Sequence, residues 1–154
     1  MMPDVRRPLL ASAPQYTERV TAPVTGAYER VSGVPGFSLI RVSPASLEYF
    51  STLIRAFRRM DDLEGGSAEN LKQITGAIAT LTRYLGSGSF TEPGLRQSLL
   101  EILARLSQIA GWMAFDAERH GLARRHFQAG LDAARRIDDH GLIAHILSFM
   151  SYQA

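Results

Sequence analysis

From Ser43 onward the apolar residues recur three and four positions apart, and that period decides the fold class. Leu47, Phe50, Ile54 and Phe57 share one side of a helical wheel. Only an α-helix turns such spacing into a continuous apolar face. Ser43 suits the cap of this helix and Pro44 its first turn, where a missing N–H is harmless. Gly65-Gly66 ends it. Arg55, Arg58 and Arg59 lie largely off the apolar face, and Arg58 and Asp62, four apart, suit a weak ion pair.

The same period continues. A second helix is expected from about Glu69 to Leu85, burying Leu71, Ile74, Ile78, Leu81 and Leu85. Gly76 lies inside it and costs about 1 kcal/mol relative to alanine, a cost that close contact with a neighbouring helix would explain. Gly86-Ser87-Gly88-Ser89 reads as the following loop. Thr91 and Pro93 open a long third helix with Leu95, Leu99, Leu103, Leu106, Ala110 and Ala114 on one side. Ile102, Ile109, Trp112 and Phe115 add apolar surface elsewhere, so this helix must be covered on more than one side. Gly121 marks a turn. A fourth helix follows from about Leu122 to Ile137, with Ala123, Phe127, Leu131 and Ala134 inward and Arg124, Gln128, Asp132 and Arg136 on its wet face. A fifth begins near Gly141. The expectation is an all-α domain over residues 43–154, about five helices in antiparallel hairpins.

Residues 1–42 differ. Pro3, Pro8, Pro14, Pro23 and Pro35, with Gly26, Gly33 and Gly36, interrupt any helix. They read as an irregular or disordered arm, or as a short flap packed on the helices.

Composition removes several function classes. The 154 residues contain no cysteine, which excludes disulfides, zinc–thiolate sites and thiol catalysis and suits a cytoplasmic protein. The net charge is +2, so nucleic-acid binding would need a clustered basic patch. No stretch has the roughly 18 apolar residues of a membrane span. Arg6-Arg7-Pro8-Leu9-Leu10 has the look of a twin-arginine signal, but Ser12, Pro14, Gln15 and Thr17 replace its apolar stretch.

Gly111, Ala123 and Phe127 carry a resemblance. Their spacing, with Gly130 beyond, resembles a tetratricopeptide (TPR) repeat, in which small residues let two helices touch and an aromatic seals the layer. Ser107 stands where that pattern has Trp, and Arg135 where it has Pro. A wider resemblance covers residues 41–154. Arg41-Val42-Ser43-Pro44, Phe57-Arg58-Arg59-Met60-Asp61-Asp62, Ala110-Gly111-Trp112-Met113-Ala114-Phe115-Asp116, Arg119-His120-Gly121-Leu122-Ala123 and Met150-Ser151-Tyr152-Gln153-Ala154 resemble the TPR-like C-terminal region of actinobacterial XRE-type helix-turn-helix regulators. The resemblance implies a TPR-like α-solenoid and a regulatory module of a transcriptional regulator. The family's DNA-binding helix-turn-helix is not legible in residues 1–42, and its repeats run further, so a truncated regulator is one expectation.

By the same resemblance Arg105, Gln108, Trp112, Phe115 and Asp116 line a concave groove, and spacing alone also puts them on one helical stripe. Aromatic anchors beside a charge and an amide suit a peptide or protein partner. The plainer reading is that Trp112 and Phe115 are core. His120, His126, His140 and His145 lack the spacing of a helical metal site, and no cofactor is expected. Asp61, Asp62 and Glu64 read as solvated carboxylates paired with Arg58 and Arg59 rather than as an acid–base pair. No catalytic constellation emerges, and the chain reads as a non-enzyme. Arg124, Arg125, Arg135 and Arg136 form the best basic patch. They give the rival reading, a regulator that binds DNA through Arg-rich helix faces, but Asp132, Asp138 and Asp139 dilute the patch and favour a solvated face. The last helix, with Leu142, Ile143, Ile146, Leu147, Phe149 and Met150, is apolar nearly all round, so self-association through it is expected.

Overall fold

A computed structural model describes residues 40–154. Most of the expected arm, residues 1–39, lies outside the described residues. The order is β1 (Ile40–Val42), α1 (Pro44–Glu64), α2 (Ala68–Ser87), β2 (Gly88–Phe90), α3 (Leu95–Asp116), α4 (His120–Arg136) and α5 (His140–Ser151). The described residues are therefore all-α, apart from one short strand pair.

Each helix begins and ends for local reasons. At the head of α1, the Ser43 N–H donates to the Oγ of Ser46, which is 1% exposed. Gly65 takes a φ of 65°, reserved for glycine at little cost, and its N–H donates to the Asp61 carbonyl. The neighbouring Gly66 sits so close to the backbone of Met113 that no side chain fits. Ser67 then caps α2, its hydroxyl accepting the Asn70 N–H at 3.1 Å. Asn70 is buried and its Nδ2 donates to the Glu64 carboxylate and the Gly65 carbonyl, fastening the α1–α2 turn.

The strand pair departs from the sequence reading. β1 and β2 run parallel in the register Ile40 to Gly88, Arg41 to Ser89 and Val42 to Phe90. Val42, expected at the end of the arm, is fully buried and belongs to the core. Helix α2 also runs through the expected loop as far as Ser87. Gly88 has no room for a Cβ between the Tyr84 carbonyl and the Val42 side chain, so the loop glycine is a close-packing glycine. Conversely Gly76 meets nothing within 4 Å, so among the described residues no helix makes a close approach there.

Pro93 does not start α3. Gly94, with φ 87°, precedes a helix that begins at Leu95. Arg96 ties this corner, donating to the Leu85 carbonyl at 3.1 Å while its guanidinium lies 4.6 Å from the Phe90 ring centre.

The two C-terminal turns are copies of each other, twenty residues apart. Glu118 (φ 58°) and Asp138 (φ 53°) both hold the left-handed conformation. Behind them the Arg119 N–H reaches the Ala114 carbonyl and the Asp139 N–H reaches the Ala134 carbonyl, the long closing bond of a Schellman turn. His-Gly-Leu follows each time, at 120–122 and 140–142. Asp139 additionally caps α5 by accepting the Leu142 N–H.

Helix α3 is the hub, packing against α1, α2, α4 and α5. Leu99, Leu106, Ala110, Met113 and Ala114 are wholly buried on it. Its apolar residues on several faces are thus covered on several faces. No helix among the described residues is long and apolar enough to cross a membrane.

Candidate functional site

The α3–α4 contact sets the geometry of everything near Trp112. Phe127 of α4 is fully buried, and its ring occupies the space a side chain at Gly111 would need. Ala123, one turn earlier, is also fully buried. Phe127 therefore fills the hairpin over Gly111. One turn further along, a Cβ at Gly130 would lie 3.1 Å from the Ala104 carbonyl, 3.2 Å from the Ser107 Cβ and 3.4 Å from Ile146 Cδ1. Three helices, α3, α4 and α5, meet at this glycine. A tryptophan at position 107 would have no room, since Ser107 is fully buried there with its hydroxyl unpartnered.

The five groove candidates separate. Gln108 is buried, at 8% exposure, and offers no free surface. Arg105 is half-exposed but engaged: its Nε and Nη2 donate to Glu101 Oε1 at 3.0 and 2.9 Å. Asp116 is exposed at the last turn of α3. Trp112 and Phe115 are half-buried and stacked, with ring centres 5.5 Å apart and 26° between planes.

The aromatic pair extends into a cluster that sequence reasoning missed. Phe149 of α5 lies 5.1 Å from the Trp112 ring and 6.1 Å from that of Phe127. His120 meets Phe115 edge-on at 5.3 Å, and His145 meets Phe149 edge-on at 4.8 Å. Two of the four histidines are thus ring partners. In the sequence Phe149 is one of many apolar residues in the last helix. Its distance of 37 residues from Trp112 left no local signal of the contact.

The carboxylates also differ from expectation. Asp61 was expected in a solvated ion pair. Its Oδ1 is buried without a hydrogen-bond partner, and burial, the nearby Asp116 carboxylate and Asp62 together push its pKa from an ordinary 3.8 to about 6. The expected Arg58–Asp62 pair does not form among the described residues, whereas Arg105 pairs with Glu101. Asp116 sits at the C-terminal end of a helix, where the helix dipole favours a cation over a carboxylate. Two acids from α1 and α3 thus approach each other at the same end of α3 that carries Trp112 and Phe115.

His126 is half-buried with its Nε2 unpartnered, and desolvation, reinforced by Arg125, lowers its pKa. Among the described residues no group of three or more His, Asp or Glu is placed to hold a metal ion. Compared with known proteins, the chain matches no protein-family model, no curated protein and no solved structure.

Proposed function

We propose that this chain is a regulatory protein-interaction or ligand-sensing module of a transcriptional regulator, acting in the cytoplasm and binding a peptide or protein partner along α3 in a TPR-like groove. In this reading α3 is the floor, α1 and α5 are the walls, and α2 and α4 form the outer layer. The proposal includes self-association through α5, whose Leu147 is 44% exposed and whose C-cap Tyr152 is 72% exposed.

One observation carries the reading. Trp112 is half-buried on a stripe shared with Arg105 and Asp116, and it is braced by Phe115 and Phe149 rather than enclosed. A pre-positioned aromatic with an open side loses little entropy when a partner covers it. The resemblance of residues 41–154 to XRE-type regulators points the same way. The anionic end formed by Asp61 and Asp116 favours a partner that carries an apolar or aromatic residue next to Lys or Arg.

The test is selection of short peptides on the immobilised protein from a random library, followed by titration against wild type and Trp112→Ala. The reading expects enriched sequences to combine an aromatic or aliphatic residue with a basic one. It expects Trp112→Ala to weaken binding at least tenfold. Peptides that bind both proteins equally would contradict it.

A further inference from the structure

The outer face of α4 points to a second surface, independent of the groove on α3. Arg124, Arg125, Gln128, Ala129, Asp132, Arg135 and Arg136 are all exposed on it, while Ala123, Phe127, Gly130, Leu131 and Ala134 face inward. The residues fall into a simple order around the helix. Arg124 and Arg135 share one edge of the exposed face, and Arg125 and Arg136 share the other. Gln128 and Asp132 run down the middle.

Two of the three acids that diluted this patch in the sequence, Asp138 and Asp139, lie beyond the end of α4, and Asp132 alone remains on the exposed face. Asp132 Oδ1 accepts from Gln128 Nε2 at 2.9 Å. Asp139 Oδ1 accepts the Leu142 N–H as the cap of α5. Asp138 lies beyond the helix, in the left-handed turn. None of the four arginines forms an ion pair among the described residues. Four permanent charges therefore stand on one helix face without carboxylate partners, and guanidinium is the side chain best shaped for phosphate.

Their spacing suits a particular polyanion. The two pairs are eleven residues apart, which is three turns and about 16 Å along the axis. The major groove of B-form DNA is about 12 Å wide with phosphates along both rims, and it admits one α-helix. A helix laid across it would set one arginine pair on each rim and turn Gln128 and Asp132 toward the base edges.

We propose that the outer face of α4 docks on duplex DNA across the major groove, with Arg124/Arg125 and Arg135/Arg136 on phosphates of opposite rims. A flexible acidic peptide has no need of two pairs held this far apart on a rigid rod. The phosphate backbones on either side of a groove do. The groove in double-stranded RNA is too narrow to take the helix.

The experiment is fluorescence anisotropy of the full chain with a labelled 20-base-pair DNA duplex of arbitrary sequence, over a series of salt concentrations. Four phosphate contacts predict that log K falls with log salt at a slope of roughly −3.5. The double variants Arg124→Gln/Arg125→Gln and Arg135→Gln/Arg136→Gln are each expected to lower affinity at least tenfold and to reduce the slope by about 2. Asp132→Asn is expected to tighten binding. These positions are exposed, and thermal unfolding of each variant checks that the fold is intact. No binding at 50 mM salt overturns the proposal. So does an undiminished affinity in both double variants, or a poly-glutamate peptide or RNA duplex that binds as tightly as the DNA.

Discussion

The ring of Phe127 lies so close over Gly111 that a Cβ there would fall 2.6 Å from both Cδ1 and Cε1. The ring is fully buried and cannot swing aside into solvent. Gly111→Ala gains about 1 kcal/mol of helix propensity, but overpacking of a buried contact costs about 1–3 kcal/mol. The net expectation is destabilisation by up to about 2 kcal/mol in denaturant unfolding. Combining it with Phe127→Leu is expected to recover part of the loss that the two single changes sum to, because the ring edge that clashes is gone.

The twin turns at Glu118 and Asp138 make a prediction of opposite sign. Both residues hold positive φ, which costs an L-residue about 1–2 kcal/mol. Glycine removes that strain at some cost in unfolded-chain entropy. Glu118→Gly and Asp138→Gly are each expected to stabilise the protein by roughly 0.5–1 kcal/mol. Loss of stability in both would mean that side-chain contacts, not backbone strain, dominate these corners.

Asp61 links stability to pH. Its folded pKa of about 6 lies above its ordinary 3.8. The folded state therefore prefers the protonated acid. The associated stability is fully present below about pH 4 and is lost as pH rises through about 6. Asp61→Asn is expected to remove this loss. Discounted for solvent screening of a half-buried group, the gain at pH 7.5 is about 1 kcal/mol, and it should vanish near pH 4. Thermal melts at both pH values measure it.

Much of this was legible because it is local. Ser43-Pro44 and Gly65-Gly66 mark α1 through cap chemistry, and the inward sets of α2 and α4 follow from the 3.6-residue period. The β1–β2 pairing was not legible, because three-residue strands carry no periodicity and Val42 meets Phe90 across 48 residues. Pro93 misled the start of α3, since a Pro-Gly pair serves a turn as readily as a helix opening. The twin turns do carry a signal, the repeated His-Gly-Leu at 120 and 140, but it lies outside the 3.6-residue periodicity that marks the helices. In the candidate site, wheel spacing placed Gln108 beside Trp112 but could not say that α3's neighbours bury one and leave the other half open. Asp61 escaped for a similar reason: the burial that raises its pKa, and the Asp116 carboxylate that adds to it, arise from packing between helices.

Exposed Leu147 on α5 and Tyr152 at its C-cap predict concentration-dependent association. Sedimentation over a hundredfold dilution is expected to show a reversible monomer–dimer shift in the full chain. Leu147→Glu is expected to leave the monomer at every concentration without lowering the melting temperature by more than a few degrees, since the side chain is 44% exposed. A wild-type protein that stays monomeric throughout would remove self-association from the account.

Backbone amide shifts in the presence of a selected peptide address the groove most directly. The account predicts perturbations centred on Arg105, Trp112 and Asp116, spreading to Phe149, with the outer face of α4 unmoved. A peptide that saturates while the α3 stripe stays silent would contradict it.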